Sequence, residues 1–246
     1  MLQQSLEWCL TQLKALGLNY SFVLDMIDRE SFMHGMLVTV ELSICIIPLS
    51  LLVGVLMSMA LTSRHKWLML PVRAFVEFTR NTPALVQLFF AFLVLNMLLT
   101  QYAGIPGNII PSFAWAVFVI ALHKGAINAE ALRAGLDAIS PNIIEAARAS
   151  ALNPWQSMIY VRLPLAFRFA LPALINNLVD LVKMTTLASA IGVGDVTYES
   201  VMIWGQRDNA LELLLLILVF YMLLTLTVSF CGKWLEQKLR MPGYGQ

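Results

Sequence analysis

Long apolar runs alternate with short polar segments along this chain of 246 residues. A membrane-spanning helix needs about 20 mostly apolar residues, and five stretches meet that length. They cover residues 32–61, 83–100, 111–132, 165–190 and 211–231. The pattern therefore predicts an all-α polytopic membrane protein with a transmembrane domain at 32–232, an extracytoplasmic or interfacial segment at 1–31, and a tail at 233–246.

The first residues carry leucines at helical spacing over positions 2–16, interrupted by polar and charged side chains. This spacing predicts a helix that lies in the membrane interface. Because the segment lacks a basic start and an unbroken apolar run, we do not expect a cleavable signal peptide.

Composition supports a membrane protein and excludes several other classes. The chain is 59% apolar and 13% charged, with a mean hydropathy of +0.75, which is far from the make-up of a soluble domain. A net charge of +1 offers no positive field for nucleic acid. Three cysteines make neither a disulfide framework nor a metal site. We therefore expect a lipid bilayer around the chain, no nucleic-acid partner, no metal and no cofactor.

The basic residues are distributed unevenly between the two sides of the predicted membrane. If five spans separate the loops, one side holds eleven cations: Arg64, Lys66, Arg73, Arg80, Arg133, Arg148, Arg162, Arg168, Lys233, Lys238 and Arg240. The positive-inside rule places this side in the cytoplasm. The N-terminus is then expected outside and the C-terminal tail inside.

A polar and basic stretch at residues 140–164, here called the polar segment, separates the third and fourth spans. Ser140-Pro141 and Asn153-Pro154 are each a capping residue followed by a proline, the pattern that begins a helix. The sequence therefore predicts two short helices that meet at Asn153.

Each predicted short helix has an apolar face: Ile144, Ala147 and Ala151 on the first, and Trp155, Met158 and Ile159 on the second. Two interpretations are open. The polar segment is either an amphipathic loop on the membrane surface or a shaped plug for a partner protein.

The letters EAARASALNPWQSMIYVRLP, residues 145–164, resemble the cytoplasmic coupling loop of permease subunits of bacterial ATP-binding-cassette (ABC) importers. In that family the loop docks into a groove on the ATPase subunit. The resemblance implies that Glu145, Ala146, Ala147, Ala151, Asn153 and Pro154 make this contact. The family usually has glycine where this chain has Ala151. Since alanine disfavours positive φ, we expect the bend at Asn153-Pro154 instead.

A second motif opens the second span. Arg80, Thr82, Pro83 and Gln87 resemble the Arg-x-Thr-Pro-x-x-x-Gln motif of the polar-amino-acid branch of these permeases. These side chains are expected to border the gate, either by bracing it or by lining the path.

A lysine in the third span is the most unusual charge in the sequence. Lys124 lies thirteen residues beyond Pro111, or about 20 Å of helix, near the middle of the bilayer. A cation there must face a cavity or a partner. Lys124 and Asn128, one turn apart, could bind a substrate carboxylate. Alternatively, Lys124 could form a buried ion pair with Glu130, Asp180 or an acidic residue of another subunit.

The fourth span carries a polar stripe of Asn176, Asn177, Asp180 and Lys183, which predicts a face turned towards a cavity or another helix. Lys183 to Leu187 resembles the family's Leu-Lys-Asp-Thr-Ser-Leu segment, which borders the translocation path. The resemblance assigns Thr185 and Thr186 to that path, while Met184 replaces the family's aspartate.

Together these motifs identify the chain as resembling the membrane-spanning permease of an ABC importer for polar amino acids in a bacterial inner membrane. The resemblance implies alternating access, two ATPase subunits, a second permease of the same or a similar kind, and an extracytoplasmic binding protein. ATP hydrolysis is then expected on a partner, since the chain has no GxxxxGK[ST] phosphate loop.

Two further points stay open in the sequence. Lys124 and Lys183 suggest acidic amino acids as substrates, because two cations could hold two carboxylates. The alternative function is a stand-alone ion-coupled transporter that uses Lys124, Glu130 and Asp180 as a relay.

Overall fold

The computed structural model describes residues 11–12, 14–15, 17–63, 65–104, 108–207 and 209–239. The expected interfacial helix at 2–16 and the last seven residues of the predicted tail lie largely or wholly outside this part of the chain.

Within the described ranges, five helices are long and apolar enough to cross a membrane. They are α1 (Met26–Leu61), α3 (Ala84–Ala103), α4 (Ser112–Asp137), α6 (Pro154–Ile191) and α8 (Ala210–Leu239). Three shorter helices lie between them: α2 (Lys66–Arg80), α5 (Pro141–Ala149) and α7 (Val196–Trp204). No strand occurs in the described ranges. The predicted all-α fold with five membrane helices is confirmed.

The helix ends differ from the predicted spans at both ends of the chain. α1 begins at Met26 instead of residue 32, because the Asp25 carboxylate accepts a hydrogen bond from the Ile27 amide at 3.0 Å and begins the helix earlier. α8 continues to Leu239, well into the predicted tail. There the Lys238 ammonium lies 3.9 Å from the Trp234 ring centroid. Hydropathy locates the apolar part of a helix and does not report its capped ends.

The fourth membrane helix is composite. α6 begins with a single α-turn, Pro154–Ser157, passes through a π-helical stretch, Met158–Arg162, and becomes regular over Leu163–Met184. Its last part, Thr185–Ile191, is a 3-10 helix that ends at Gly192 with φ of 76°. Glycine tolerates this left-handed conformation without a Cβ clash.

The chain forms two compact units. The first unit comprises Met1–Cys45, Leu88–Val117 and Val182–Thr225, and the second comprises Ile46–Gln87, Phe118–Leu181 and Leu226–Gln246. Every boundary between these ranges falls inside a membrane helix, so all five membrane helices contribute residues to both units.

The first unit is built on an aromatic and aliphatic cluster. Phe22 and Phe32 pack edge to face, with ring centroids 5.9 Å apart, and are joined by Val196, Ile203 and Leu213. The Arg207 guanidinium pairs with both Asp25 and Asp28, and its hydrogen bond to Asp25 lowers the pKa of that carboxyl below the usual value. These contacts fix the start of α1 against the segment that follows α7.

The second unit depends on close helix approach at glycines. A Cβ on Gly54 of α1 would lie 2.7 Å from the Asn128 Cβ, and a Cβ on Gly135 of α4 would collide with the backbone of Ala166. Small residues at such contacts allow membrane helices to pack backbone to backbone. The second unit therefore brings α4 close to both α1 and α6.

Candidate coupling segment and translocation residues

The first half of the polar segment is a short helix. α5 begins with Pro141 at its first position, as predicted, although the Ser140 side chain makes no capping hydrogen bond. Ile143 and Ile144 pack against Leu136, Ile139 and Ala166. This packing leaves the opposite side of α5 to solvent.

The end of α5 corrects the prediction for Ala151. The Leu152 amide donates to the Ala147 carbonyl at 3.3 Å, and the Ala151 amide donates to the Arg148 carbonyl at 3.0 Å. This pair of bonds is a Schellman motif, whose left-handed position is usually glycine. Ala151 takes that position with φ of 59°. It therefore makes the bend itself and lies outside the apolar face to which we had assigned it.

Asn153 begins the second short helix, as predicted. Its side chain accepts a hydrogen bond from the Gln156 amide at 2.8 Å, while the Gln156 side chain accepts one from the Asn153 amide at 3.0 Å. With Pro154 at the first helical position, this is a capping box. The predicted helix start at Asn153 is confirmed, but the second helix is not short, because it continues without a break into α6.

The exposed face of the polar segment is formed by Glu145, Ala146, Arg148 and Trp155, whereas Ala147 is buried. Trp155 is 63% exposed and Ile159 is 36% exposed. Of the apolar face predicted for the second helix, Met158 packs against Leu136, Ile139 and Ala166, whereas Trp155 and Ile159 remain exposed in this chain. An exposed tryptophan beside a carboxylate and a guanidinium is suited to contact with a partner.

Gln87 connects the second motif to the third span. Its amide nitrogen donates to the Thr82 hydroxyl at 2.6 Å and to the Thr79 carbonyl at 3.0 Å, and its oxygen lies 3.2 Å from Nδ1 of His123. Since the amide oxygen can only accept, the proton of this bond belongs to His123. The pairing holds the start of α3 to α4.

Arg80 makes a second link to α4. Its guanidinium lies 3.7 Å from the Glu130 carboxylate, which Arg133 also contacts at 3.0 Å. Arg133 in turn pairs with Asp137 at 2.8 Å. Gln87 and Arg80 thus attach both sides of the Pro83 junction to α4. This geometry supports the bracing alternative for Arg80, Thr82 and Gln87.

Lys124 and Asn128 are both buried in the second unit, with Lys124 6% exposed and Asn128 fully enclosed. The Asn128 oxygen accepts a hydrogen bond at 3.1 Å from Asn177 on α6, and its buried amide nitrogen has no partner within the described ranges. This chain therefore encloses most of the Lys124 side chain, and its contact with substrate stays a prediction. The Asn128–Asn177 pair was not predicted, since nothing local joins positions 49 residues apart.

The other predicted path residues lie along α6. Asn176 and Asp180 are exposed in the second unit. In the first unit, Lys183 is exposed, Thr186 is half-buried, and Thr185 is fully buried, donating to the Val182 carbonyl at 2.7 Å. The predicted stripe of 176, 180 and 183 therefore forms one exposed helical face.

A buried carboxylate in the first unit was not recognised in the sequence. Asp195 begins α7 by accepting a hydrogen bond from the Tyr198 amide at 2.9 Å, and it is fully buried. Burial raises the pKa of its carboxyl to about 6. Oδ2 of Asp195 and the hydroxyls of Thr197 and Tyr221 are buried without a hydrogen-bond partner among the described residues. Only the cap pattern before α7 could have indicated its place, and nothing local indicates its burial.

The sequence of this chain is similar to those of known transport proteins over most of its length. Residues 46–241 match the family model described as "Binding-protein-dependent transport system inner membrane component". The glutamine transport system permease protein GlnP of Escherichia coli strain K12 is 34% identical over 167 residues, covering 68% of this chain and 74% of that protein. The arginine transport system permease protein ArtQ of Bacillus subtilis strain 168 is 28% identical, covering 91% and 99%.

Solved structures have the same fold. An amino acid ABC transporter solved with histidines aligns with a TM-score of 0.74 at 30% identity, over 87% of this chain and 97% of its own. The inward-facing MetNI methionine ABC transporter aligns with a TM-score of 0.73 over 88% of this chain and all of its own, at 19% identity. The latter likeness is one of fold alone.

Proposed function

The chain belongs to the family of binding-protein-dependent transport system inner membrane components and is a permease subunit of an amino-acid ABC importer, and we propose that it takes up polar amino acids by alternating access. The relatives named above are glutamine and arginine permeases by description. These descriptions support amino acids with polar side chains as the proposed substrates.

The proposal rests on the observation that the polar segment is exposed and that the end of α5 and the start of α6 are both capped. It presents Glu145, Ala146 and Trp155 on helices whose ends are fixed by the Schellman motif and the capping box. A rigid, exposed pair of helices can transmit motion, because it does not deform when a partner pulls on it. We therefore assign this face to an ATPase subunit, two of which serve a pair of permeases.

Motion of the polar segment would pass directly into α6, because Pro154 begins that helix. ATP binding would draw the ATPases together, shift α6 and α4, and open the path outward, and hydrolysis on the ATPases would reset it. Gln87 and Arg80 would brace the α3–α4 junction during this movement. The distribution of basic residues in the loops supports a cytoplasmic polar segment and an N-terminus outside the membrane.

The substrate path is proposed along the polar face of α6, with Asp180, Lys183 and Thr186, and the buried Thr185 beneath it. Lys124 and Asn128 act from within the second unit as a polar support for the path. The acidic-substrate hypothesis depends on both lysines reaching the ligand, and the burial of Lys124 weighs against it. Glu130 lies between two arginines, so no observation favours the ion-coupled relay.

The test is co-purification of the full chain, expressed with its neighbouring genes, followed by ATPase assays with a binding protein loaded with single amino acids. We expect an associated ATPase that one loaded polar amino acid stimulates. A chain that purifies alone and transports in proteoliposomes on an ion gradient would contradict the proposal.

A further inference from the structure

A groove of about 860 Å³ lies in the second unit, where the end of α1, the start of α2, α5 and the start of α6 meet. One wall is apolar and includes Leu56, Met59 and Leu68. Leu56 is 58% exposed although it belongs to a membrane helix. The groove therefore has an open apolar edge on a helix that is apolar enough to cross a membrane.

The other wall is basic. His65, Arg148 and Arg162 line the groove, and none of its described lining residues is acidic. The Nε atom of Arg162 is buried and has no hydrogen-bond partner within the described ranges. A buried N–H without an acceptor is costly, so the groove offers an unused donor on a guanidinium.

The surroundings resemble a membrane interface. Trp155 lines the groove and is 63% exposed, and tryptophan is enriched at the headgroup level. The neighbouring helix α2 buries Val76 and Thr79 while leaving Trp67 and Phe78 exposed. This pattern is typical of a helix that lies along a membrane surface.

We propose that this groove binds one anionic phospholipid. Its phosphate accepts hydrogen bonds from Arg162 and Arg148, and its acyl chains lie along Leu56, Met59 and Leu68. Basic pockets beside membrane helices on the cytoplasmic side bind anionic headgroups in this way. The lipid would join the membrane directly to α5 and α6, the two helices that meet in the polar segment.

The ATPase is the competing occupant, since the groove adjoins the polar segment. Of the exposed face assigned to the ATPase, Glu145 and Ala146 do not line the groove, whereas Arg148 and Trp155 do, so the two surfaces share an edge. The groove instead presents a long apolar wall and two arginines, which match an acyl chain and a phosphate better than a folded protein surface.

The test is native mass spectrometry of the delipidated complex, comparing phosphatidylglycerol with phosphatidylcholine and with inorganic phosphate alone. We expect one retained phosphatidylglycerol per chain and no comparable retention of the other two. Arg162→Gln should weaken phosphatidylglycerol binding about fivefold, and Arg162→Lys should recover most of it. Arg168→Gln, an exposed arginine outside the groove, should change nothing.

If Arg162→Gln does not yield folded protein, Arg148→Gln provides the same test from an exposed position. Equal binding of the two lipids, or unchanged phosphatidylglycerol binding in both variants, would overturn the proposal. So would loss of the ATPase with lipid binding intact, because the groove would then belong to the ATPase. These outcomes leave the importer function itself untouched.

Discussion

The two units differ in how they handle a carboxylate inside a membrane protein. In the first unit, Asp195 is fully buried, pairs with no cation among the described residues, and accepts a hydrogen bond from the Tyr198 backbone amide instead. In the second unit, Glu130 is 25% exposed and lies between Arg80 and Arg133. The Asp195 carboxylate is thus shielded from water, whereas the Glu130 carboxylate forms salt bridges with two arginines.

The contrast shows that burial and pairing have different consequences. Burial without a cation raises the pKa of Asp195 to about 6, so its charge depends on pH in a range cells reach. Pairing in a partly exposed place fixes geometry and stabilises little. The first unit therefore contains a carboxylate whose charge depends on pH, whereas the second contains a salt bridge that joins Arg80 at the end of α2 to Glu130 of α4.

The largest effect is expected where the second unit packs through glycine. Gly135→Val should destabilise the protein by about 3 kcal/mol or more, because the new side chain meets the Ala166 backbone, which cannot move aside. Melting of the detergent-solubilised protein would measure this. The control is Gly194→Ala in the first unit, where a Cβ meets only the flexible end of Glu199 and little change is expected.

The pH dependence of Asp195 is the next largest effect. Its folded pKa of about 6 exceeds the ordinary 3.8, so the folded state holds its proton longer than the unfolded state. The stability due to this group is complete below about pH 4 and is lost as pH rises to about 6. Asp195→Asn keeps the cap acceptor and should become more stable than wild type, by about 3 kcal/mol, above that range.

Melting temperatures of both proteins from about pH 4 to about pH 7 test this prediction. The difference should be small at the acid end and reach a plateau at the neutral end. A difference that stays constant across the series would mean that Asp195 does not titrate in this range.

A smaller effect is expected for the paired carboxylate. Glu130→Gln should cost about 1 kcal/mol, because it leaves Arg80 and Arg133 facing each other without the carboxylate between them. Asp137→Asn removes a pair whose carboxylate is 64% exposed and should cost less than about 0.5 kcal/mol. Chemical denaturation measures the free energy of unfolding of the two variants. Equal losses would contradict the expectation that Glu130 contributes more than Asp137.

The smallest effect concerns the bend in the polar segment. Ala151→Gly should stabilise the protein by about 0.5 to 1 kcal/mol, because glycine adopts a φ of 59° without strain. The matched control is Ala149→Gly at the last residue of α5, where glycine should destabilise by a similar amount. Changes of the same sign in the two variants would contradict the assigned backbone conformation.

Local signals in the sequence predicted the framework well. Apolar runs located five membrane helices, and Asn153-Pro154 located the start of a helix with its cap. The Arg-x-Thr-Pro-x-x-x-Gln letters also pointed to a structural junction, which Gln87 and Arg80 form. These signals depend on residues close in sequence: the apolar runs, the cap at Asn153 and the Gln87–Thr82 hydrogen bond. The contacts of Gln87 and Arg80 with α4 are long-range and were not predicted.

Packing over long distances accounts for what the sequence did not predict. The Asn128–Asn177 and Gln87–His123 pairs join different helices, and the burial of Asp195 depends on Gly35 and Thr39 of α1 packing against its backbone and that of Val196. The prediction for Ala151 was wrong for another reason. Its left-handed φ is imposed by two hydrogen bonds of the helix end, which outweigh the preference of alanine itself.

The docking of the polar segment on an ATPase is the central claim, and charge reversal tests it most directly. Glu145→Arg is compared with Glu30→Arg, an equally exposed glutamate on the predicted outer side, in chains co-expressed with their neighbouring genes. We predict that both variants insert into the membrane and that only Glu145→Arg loses the co-purifying ATPase and its stimulation by substrate. Retention of a stimulated ATPase by Glu145→Arg would contradict the account.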